Sequence, residues 1–226
     1  MYLEQSRIPD AESLSRDKSE HGRTGFHAVF ERVAGQLLPR DANLDAATRS
    51  LTLEEGDPLF EAGNVDRRIH VVLEGFLRLK YISPDGACWV KGFVPPGVPF
   101  ACVSCLDGMP APFMACAGSR TSLVSVPFAE LDRLTLASMA WQRAVSNAFK
   151  IYGQRKEKRE MELLMLSAEA RYLGFLQEMP DIADRLKLHE IASYIRVTPV
   201  SLSRIRRRLG MTPAGSPSRI GEAKVP

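Results

Sequence analysis

Five arginines and no acidic residue lie between Arg196 and Leu209: Arg196, Arg204, Arg206, Arg207 and Arg208. Guanidinium groups offer paired N–H donors that fit phosphate oxygens and the O6 and N7 edge of guanine, so the chemistry suggested first is nucleic-acid recognition. A second set is sulfur-based. Cys102 and Cys105 form a Cys-x-x-Cys pair with Cys116 beyond them, a spacing suited to a thiol switch or a soft-metal site. Unpaired cysteine is also among the most buried residue types, and one such pair reads more readily as small apolar packing. The four histidines are His21, His27, His70 and His189. They are too scattered to converge with carboxylates on a catalytic metal. His70 falls in a strand pattern and reads as structural. No Ser-His-Asp motif, P-loop or dinucleotide fingerprint occurs, so the chain reads as a non-enzyme without a metal site.

The arginines need an element that packs on one side and stays open on the other. Thr198 is a good N-cap, and Pro199 suits the first helical position, where its missing N–H costs nothing. At about 100° per residue, Leu202, Ile205 and Leu209 then share one face. Val200, Ser203, Arg204 and Arg207 fall opposite, with Ser201 and Arg208 at the margins. Upstream, Ile191, Ala192 and Ile195 form the stripe of a partner helix, and Arg196-Val197 supplies the break. These features together favour DNA binding over an ordinary solvated helix pair.

Earlier, from Leu51, glycines and prolines punctuate short β-type runs, IHVVLEGFLRLKYI, ACWVKGFV and TSLVSV. Turn signals every 8–12 residues, with Pro84-Asp85-Gly86 as a hairpin turn, predict an antiparallel barrel or roll. Phe26, Val29, Phe30, Val33 and Leu37 predict a short helix before it. FAELDRL predicts a short helix after it, followed by a long one from Leu136 to about Met165. Trp141, Val145, Ala148 and Tyr152 mark an apolar seam on that helix. The following QRKEKRE is charged all round, and Ser167 is a cap for the next helix.

LHEIASYIRVTPVSLSRIRRRL resembles the helix-turn-helix of Crp/Fnr-type bacterial transcription regulators, and the preceding AEARYLGFLQEMPDIADRLK resembles the lead-in helix of one branch of that family. EEGDPLFEAGN, VVLEGFLRLKYISPDG and FVPPGVPF resemble the β-roll that these regulators share with cyclic-nucleotide-binding domains. The resemblance spans about Leu51 to Leu209. It implies an α+β chain with an antiparallel double-stranded β-roll, a long dimerisation helix and a C-terminal winged-helix-like helix-turn-helix. The expected segments are a flexible tail (1–24), the roll with flanking helices (25–134), the dimerisation helix (135–165), the helix-turn-helix (166–210) and a second flexible tail (211–226). That second tail stands where relatives carry a short β segment. Expected partners are double-stranded DNA and a second copy of the chain, with RNA polymerase and a small-molecule effector as further candidates.

The resemblance implies DNA contacts from Thr198, Val200, Ser201, Ser203, Arg204, Arg206, Arg207 and Arg208, with Arg204 first for base contact and Arg206 and Arg208 on phosphates. Many relatives have glutamate at the position of Val200, so the usual half-site of the family is not expected here. Relatives that hold cyclic AMP use a glutamate after Phe-Gly and an arginine about ten residues later. Here the matching positions are Phe100-Ala101-Cys102 and Ala111 or a neighbour, and no Arg or Lys occurs from Gly92 to Ser119. A buried phosphate would lack a cationic partner. Cyclic AMP is therefore not expected, and no cofactor is assigned. The candidate effector pocket is lined instead by Phe100, Cys102, Cys105, Phe113 and Cys116. Alternatives are a thiol- or metal-responsive regulator sensing through Cys102, Cys105 and Cys116, or a non-DNA protein-interaction module.

Composition fits this reading. The 226 residues are 45% hydrophobic and 25% charged, with a net charge of +3, so the positive charge is local. No apolar run approaches the ~20 residues needed to span a bilayer. The first residues lack the apolar core of a signal peptide, so a cytoplasmic location and no membrane partner are expected.

Overall fold

A computed structural model describes residues 21–211. They fall into two compact units, one up to Arg155 and one from Lys156 on. Helix α1, His21–Ala34, begins inside the stretch read as the first tail. Residues 1–20 and most of the second tail (212–226) lie outside the described residues.

The first unit is a roll of two four-stranded antiparallel sheets. One has the order β1 (Arg49–Leu53), β8 (Thr121–Pro127), β3 (Arg68–Glu74), β6 (Pro99–Phe100). The other has the order β2 (Pro58–Phe60), β7 (Met114–Ala117), β4 (Leu77–Ile82), β5 (Cys88–Val94). Alternation along the central strands sorts their side chains, as the period of two requires. Ile69 and Val71 of β3, with Val124 and Val126 of β8, join the core cluster that contains Phe26, Phe30 and Leu131 of the helices. Val72 and Leu123 turn the other way and meet Leu77, Leu79 and Ala115 of the second sheet inside the roll.

The turns are made as the sequence suggests. Ser83 donates its N–H to the Ala87 carbonyl at 2.9 Å across Pro84-Asp85-Gly86. Gly75 has φ +76°, and a Cβ there would lie 2.4 Å from the Arg120 carbonyl oxygen, so the β3–β4 connection accepts only glycine. A Cβ at Gly118 would meet the Phe76 ring at 2.0 Å.

Short elements that periodicity does not reveal complete the unit: α2 (Ala42–Ala47), capped by Asp41, and α3 (Val103–Leu106). Then come α4 (Phe128–Ala137) and the 27-residue α5 (Met139–Met165). Trp141 is wholly buried; its ring lies 6.0 Å from Phe30, and its Nε1 donates to the Pro39 carbonyl at 3.1 Å. Asn147 Nδ2 donates to the Val33 carbonyl at 3.1 Å.

This corrects the expected seam. Trp141 belongs to the core of its own chain, because an indole with its N–H satisfied internally is more stable there than at a wet surface. The large apolar side chains that α5 leaves exposed in this unit are Met139, Phe149, Ile151 and Tyr152.

Candidate nucleic-acid interface

The second unit carries the arginines. Its helices after α5 are α6 (Ala168–Glu178), α7 (Pro180–Ala183), α8 (Leu188–Tyr194) and α9 (Pro199–Arg208). Ser167 caps α6 by accepting from Ala170 N–H at 3.2 Å. Thr198 caps α9 by accepting from Ser201 N–H at 3.1 Å, and Pro199 opens the helix. Each cap satisfies an amide that would otherwise have no intrahelical partner.

The packed face of α9 is Leu202 and Ile205, both buried, with Leu209 half-buried at its end. Helix α9 packs on α8, and there Ile191, Ala192 and Ile195 are buried, Ala192 and Ile195 wholly. The turn between the helices runs through Arg196 at φ +61°, the only described non-glycine residue in the left-handed region. Val197 is half-buried behind it, and its N–H donates to the Ala192 carbonyl at 2.9 Å.

Three side chains outside the predicted set support this arrangement. Glu190 is buried and accepts from the Lys187 N–H at 3.0 Å, holding the first turn of α8. At the other end of α8, Arg171 Nε donates to the Ile195 carbonyl at 2.9 Å. Arg159 donates to the Tyr194 carbonyl and stacks its guanidinium 4.1 Å above the Tyr194 ring. Two cations thus meet the carbonyl end of α8, where the helix dipole favours them. A Glu at the third helical position is a readable capping signal; the two long-range arginines are not.

The predicted contact residues separate into two groups. Arg204 and Arg207 are exposed, on the face opposite Leu202 and Ile205, and no ion pair holds either among the described residues. Val200 is 61% exposed on the same face, and Thr198, Ser201 and Ser203 lie beside it with more limited exposure for the serines. Arg206 and Arg208 differ from the expectation of solvent-facing phosphate ligands. Arg206 is half-buried near Tyr172, where burial pushes the Tyr172 phenol up and the Arg206 charge pulls it the other way. Arg208 is held by Glu169, with Nε and a terminal nitrogen 2.9 and 2.5 Å from one carboxylate oxygen. A guanidinium already matched by a carboxylate gains less from phosphate.

In the roll, aromatic side chains pack together along the segment expected to line an effector pocket. Phe60, Phe100 and Phe113 pack with ring centroids 5.6 to 6.4 Å apart. Lys91 lies 4.3 Å above the Phe113 ring. Arg120, nearest in sequence to the missing phosphate ligand, reaches Glu54 at 3.2 Å and is 76% exposed. Cys102 and Cys105 are both buried on the inner side, and burial together with the neighbouring Cys105 thiol pushes Cys102 up to about 11.

Cys116 donates instead to the Arg78 carbonyl at 3.6 Å. Among the described residues no three His, Cys, Asp or Glu side chains come together as a metal site. The three-cysteine metal alternative is corrected accordingly: β7 directs Cys116 to β4 and not to the pair on α3. His70 is buried with its Nε2 2.7 Å from Asp66, a structural pairing.

Residues 50–138 match the cyclic nucleotide-binding domain family. No curated protein matches the sequence. Several solved structures share the fold. FixK2 from Bradyrhizobium japonicum is 19% identical with a TM-score of 0.63, over 72% of this chain and 84% of FixK2. CLP from Xanthomonas campestris, a c-di-GMP-responsive global regulator, is 13% identical with a TM-score of 0.59, over 81% of this chain and 91% of CLP. A cyclic nucleotide-binding domain from Methylobacillus flagellatus is 14% identical with a TM-score of 0.51, over 62% of this chain and 83% of the domain. The chain shares the fold of FixK2 and CLP, a β-roll followed by a long helix and a C-terminal helical unit. Among the described residues no helix is long and apolar enough to cross a membrane.

Proposed function

We propose that this chain, with a cyclic nucleotide-binding-type roll followed by a helix-turn-helix, is a homodimeric transcription regulator that reads an inverted repeat in double-stranded DNA through α9. The observation that carries the reading is the division of α9. Its aliphatic side is buried on α8, while Arg204 and Arg207 stand exposed on the opposite face without an internal acid. A helix so divided can enter a major groove with its cap end toward the bases. Arg204 is assigned to guanine, as bidentate donor to O6 and N7, and Val200 to a thymine methyl. Arg207 and the turn residue Arg196 are assigned to phosphates. In a two-fold dimer, two such helices about 34 Å apart enter successive grooves on one DNA face. The exposed Phe149 and Tyr152 of α5 support a partner surface on that helix.

Control by cyclic AMP is not part of this proposal. The aromatic packing in the roll and the absence of Arg or Lys from Gly92 to Ser119 favour a regulator that does not use it. Two observations weigh against the thiol-sensing alternative: both thiols are buried, and the upward shift of Cys102 disfavours the reactive thiolate.

Quantitative mobility shifts with the full chain on matched and base-substituted duplexes test the reading. Arg204→Ala is expected to lose about 1–3 kcal/mol on the matched site and to relax preference at one position. Equal loss on all sequences would make Arg204 a phosphate contact, and no saturable, salt-sensitive binding by the unmodified chain would favour a protein-interaction module.

A further inference from the structure

Helix α9 offers a base pair a narrow set of groups. From Arg196 to Leu209 there is no Asp, Glu, Asn, Gln or His. Cytosine N4 and adenine N6 are donors in the major groove, and the side chains that usually accept from them are carboxylates and amides. On this helix and its cap the only side-chain acceptors are the hydroxyls of Thr198, Ser201 and Ser203. Two of them are already joined: the Thr198 and Ser201 hydroxyl oxygens lie 2.9 Å apart, and Thr198 also accepts from the Ser201 N–H. The exposed face carries two donors, Arg204 and Arg207, and one apolar group, Val200. Val200 is in the first turn, directly after Pro199. Among the described residues beyond Leu173 it is the only large apolar side chain left exposed. Arg204 follows four residues later on the same face, about 6 Å along the axis. That distance is roughly two base-pair steps of ~3.4 Å.

We infer that α9 reads one pyrimidine by its C5-methyl group, so that DNA carrying 5-methylcytosine is a ligand of this chain. Beneath Val200 it takes thymine or 5-methylcytosine and disfavours unmethylated cytosine. This rests on the reading of α9 as the helix that enters the major groove. Thymine and 5-methylcytosine present the same methyl from C5 and differ at C4, where thymine O4 accepts and cytosine N4 donates. A valine methyl does neither, and a neighbouring serine hydroxyl can do either. The exposed face therefore has no group that separates O4 from N4. What it does distinguish is the presence of the C5-methyl, which gives Val200 an apolar surface to cover. Covering one such carbon is equivalent to about 0.8 kcal/mol, or about fourfold in affinity. Arg204 holds its guanine with or without the methyl, so methylation adjusts the affinity of a site that is already bound.

The test is a base-by-base scan of the duplex that the full chain selects, by competition mobility shifts at one salt concentration. In one half-site each thymine is replaced in turn by deoxyuridine, which removes only the C5-methyl. Each cytosine is replaced in turn by 5-methylcytosine, which adds only that group. At one position, removal should weaken binding about fourfold or addition should strengthen it about fourfold. Val200→Ala, at an exposed position where alanine suits the helix, should bring that ratio close to one and leave the other positions unchanged. Val200→Glu supplies an acceptor for N4 and should move the preference at the same position to cytosine, methylated or not. A scan with no methyl-sensitive position, a methyl effect that survives Val200→Ala unchanged, or a preference moved elsewhere by Val200→Glu overturns the inference and leaves α9 as the reading helix. Selection of no duplex at all overturns the regulator reading, and this inference with it.

Discussion

Replacing Trp141 by alanine distinguishes an intrachain role from a dimer role. The indole is wholly buried, lies 6.0 Å from the Phe30 ring and 5.6 Å from the His27 ring, and donates to the Pro39 carbonyl. Truncating a buried aromatic to alanine costs about 3–5 kcal/mol, because the space does not fully close. The Pro39 carbonyl belongs to an exposed residue and also faces His27 Nε2 at 3.4 Å, so losing the indole donor adds little. The expected loss is therefore about 3–5 kcal/mol. With a urea slope of roughly 2 kcal/mol/M, the unfolding midpoint should fall by about 1.5–2.5 M. Circular dichroism during urea titration reads this directly, at two protein concentrations at least tenfold apart. Trp141→Phe keeps most of the ring contact and loses the N–H, so its shift should be well under half as large. The reasoning is refuted if the Trp141→Ala midpoint moves by less than about 0.5 M, or if its shift grows strongly on dilution. The latter is the behaviour of an interface residue, whose apparent stability depends on protomer concentration.

Other outcomes follow from the same geometry. Thr198→Ala removes the acceptor for the Ser201 N–H and should destabilise the second unit by about 1 kcal/mol, with Thr198→Ser restoring most of it, as read by thermal unfolding. Arg196→Gly should raise stability by roughly 0.5–1 kcal/mol by relieving a left-handed backbone, while weakening DNA binding and lowering its salt slope by about one phosphate contact. In iodoacetamide labelling of native protein at neutral pH, exposed Cys88 should be modified well before Cys102 and Cys105, as mass spectrometry can show. The folded chain holds the Cys102 thiol protonated up to about 11, while the unfolded thiol ionises near 9.0. Its contribution is thus fully present below pH 9 and is lost as pH rises towards 11; Cys102→Ala should flatten that part of the stability profile.

Where local rules decide, the sequence was readable. The caps Ser167 and Thr198, Pro199 at the start of α9, the Pro84-Asp85-Gly86 turn and the strand beginning at Thr121 depend on neighbours a few residues away, and each is found in the structure. Arg204 and Arg207 were readable for the same reason, because helical periodicity fixes which face they share. The side chains misjudged are those whose environment is set by distant partners. Trp141 satisfies a seam pattern, yet Pro39, 102 residues earlier, takes its N–H. Arg208 looks like a phosphate ligand until Glu169 is brought beside it. Cys116 suggests a third metal ligand, but the β4–β7 register pairs it with Arg78. The short β6 and α3 escape because periodicity needs more than two to four residues.

The most direct test of the central claim is selection of bound duplex from a random pool by the full chain, with and without reductant. The account predicts enrichment of an inverted repeat whose half-sites are centred about one helical turn apart, the same repeat in both conditions, and loss of enrichment for the Arg204→Ala, Arg207→Ala double variant. A pool that stays random, or a repeat enriched equally by the double variant, would contradict it.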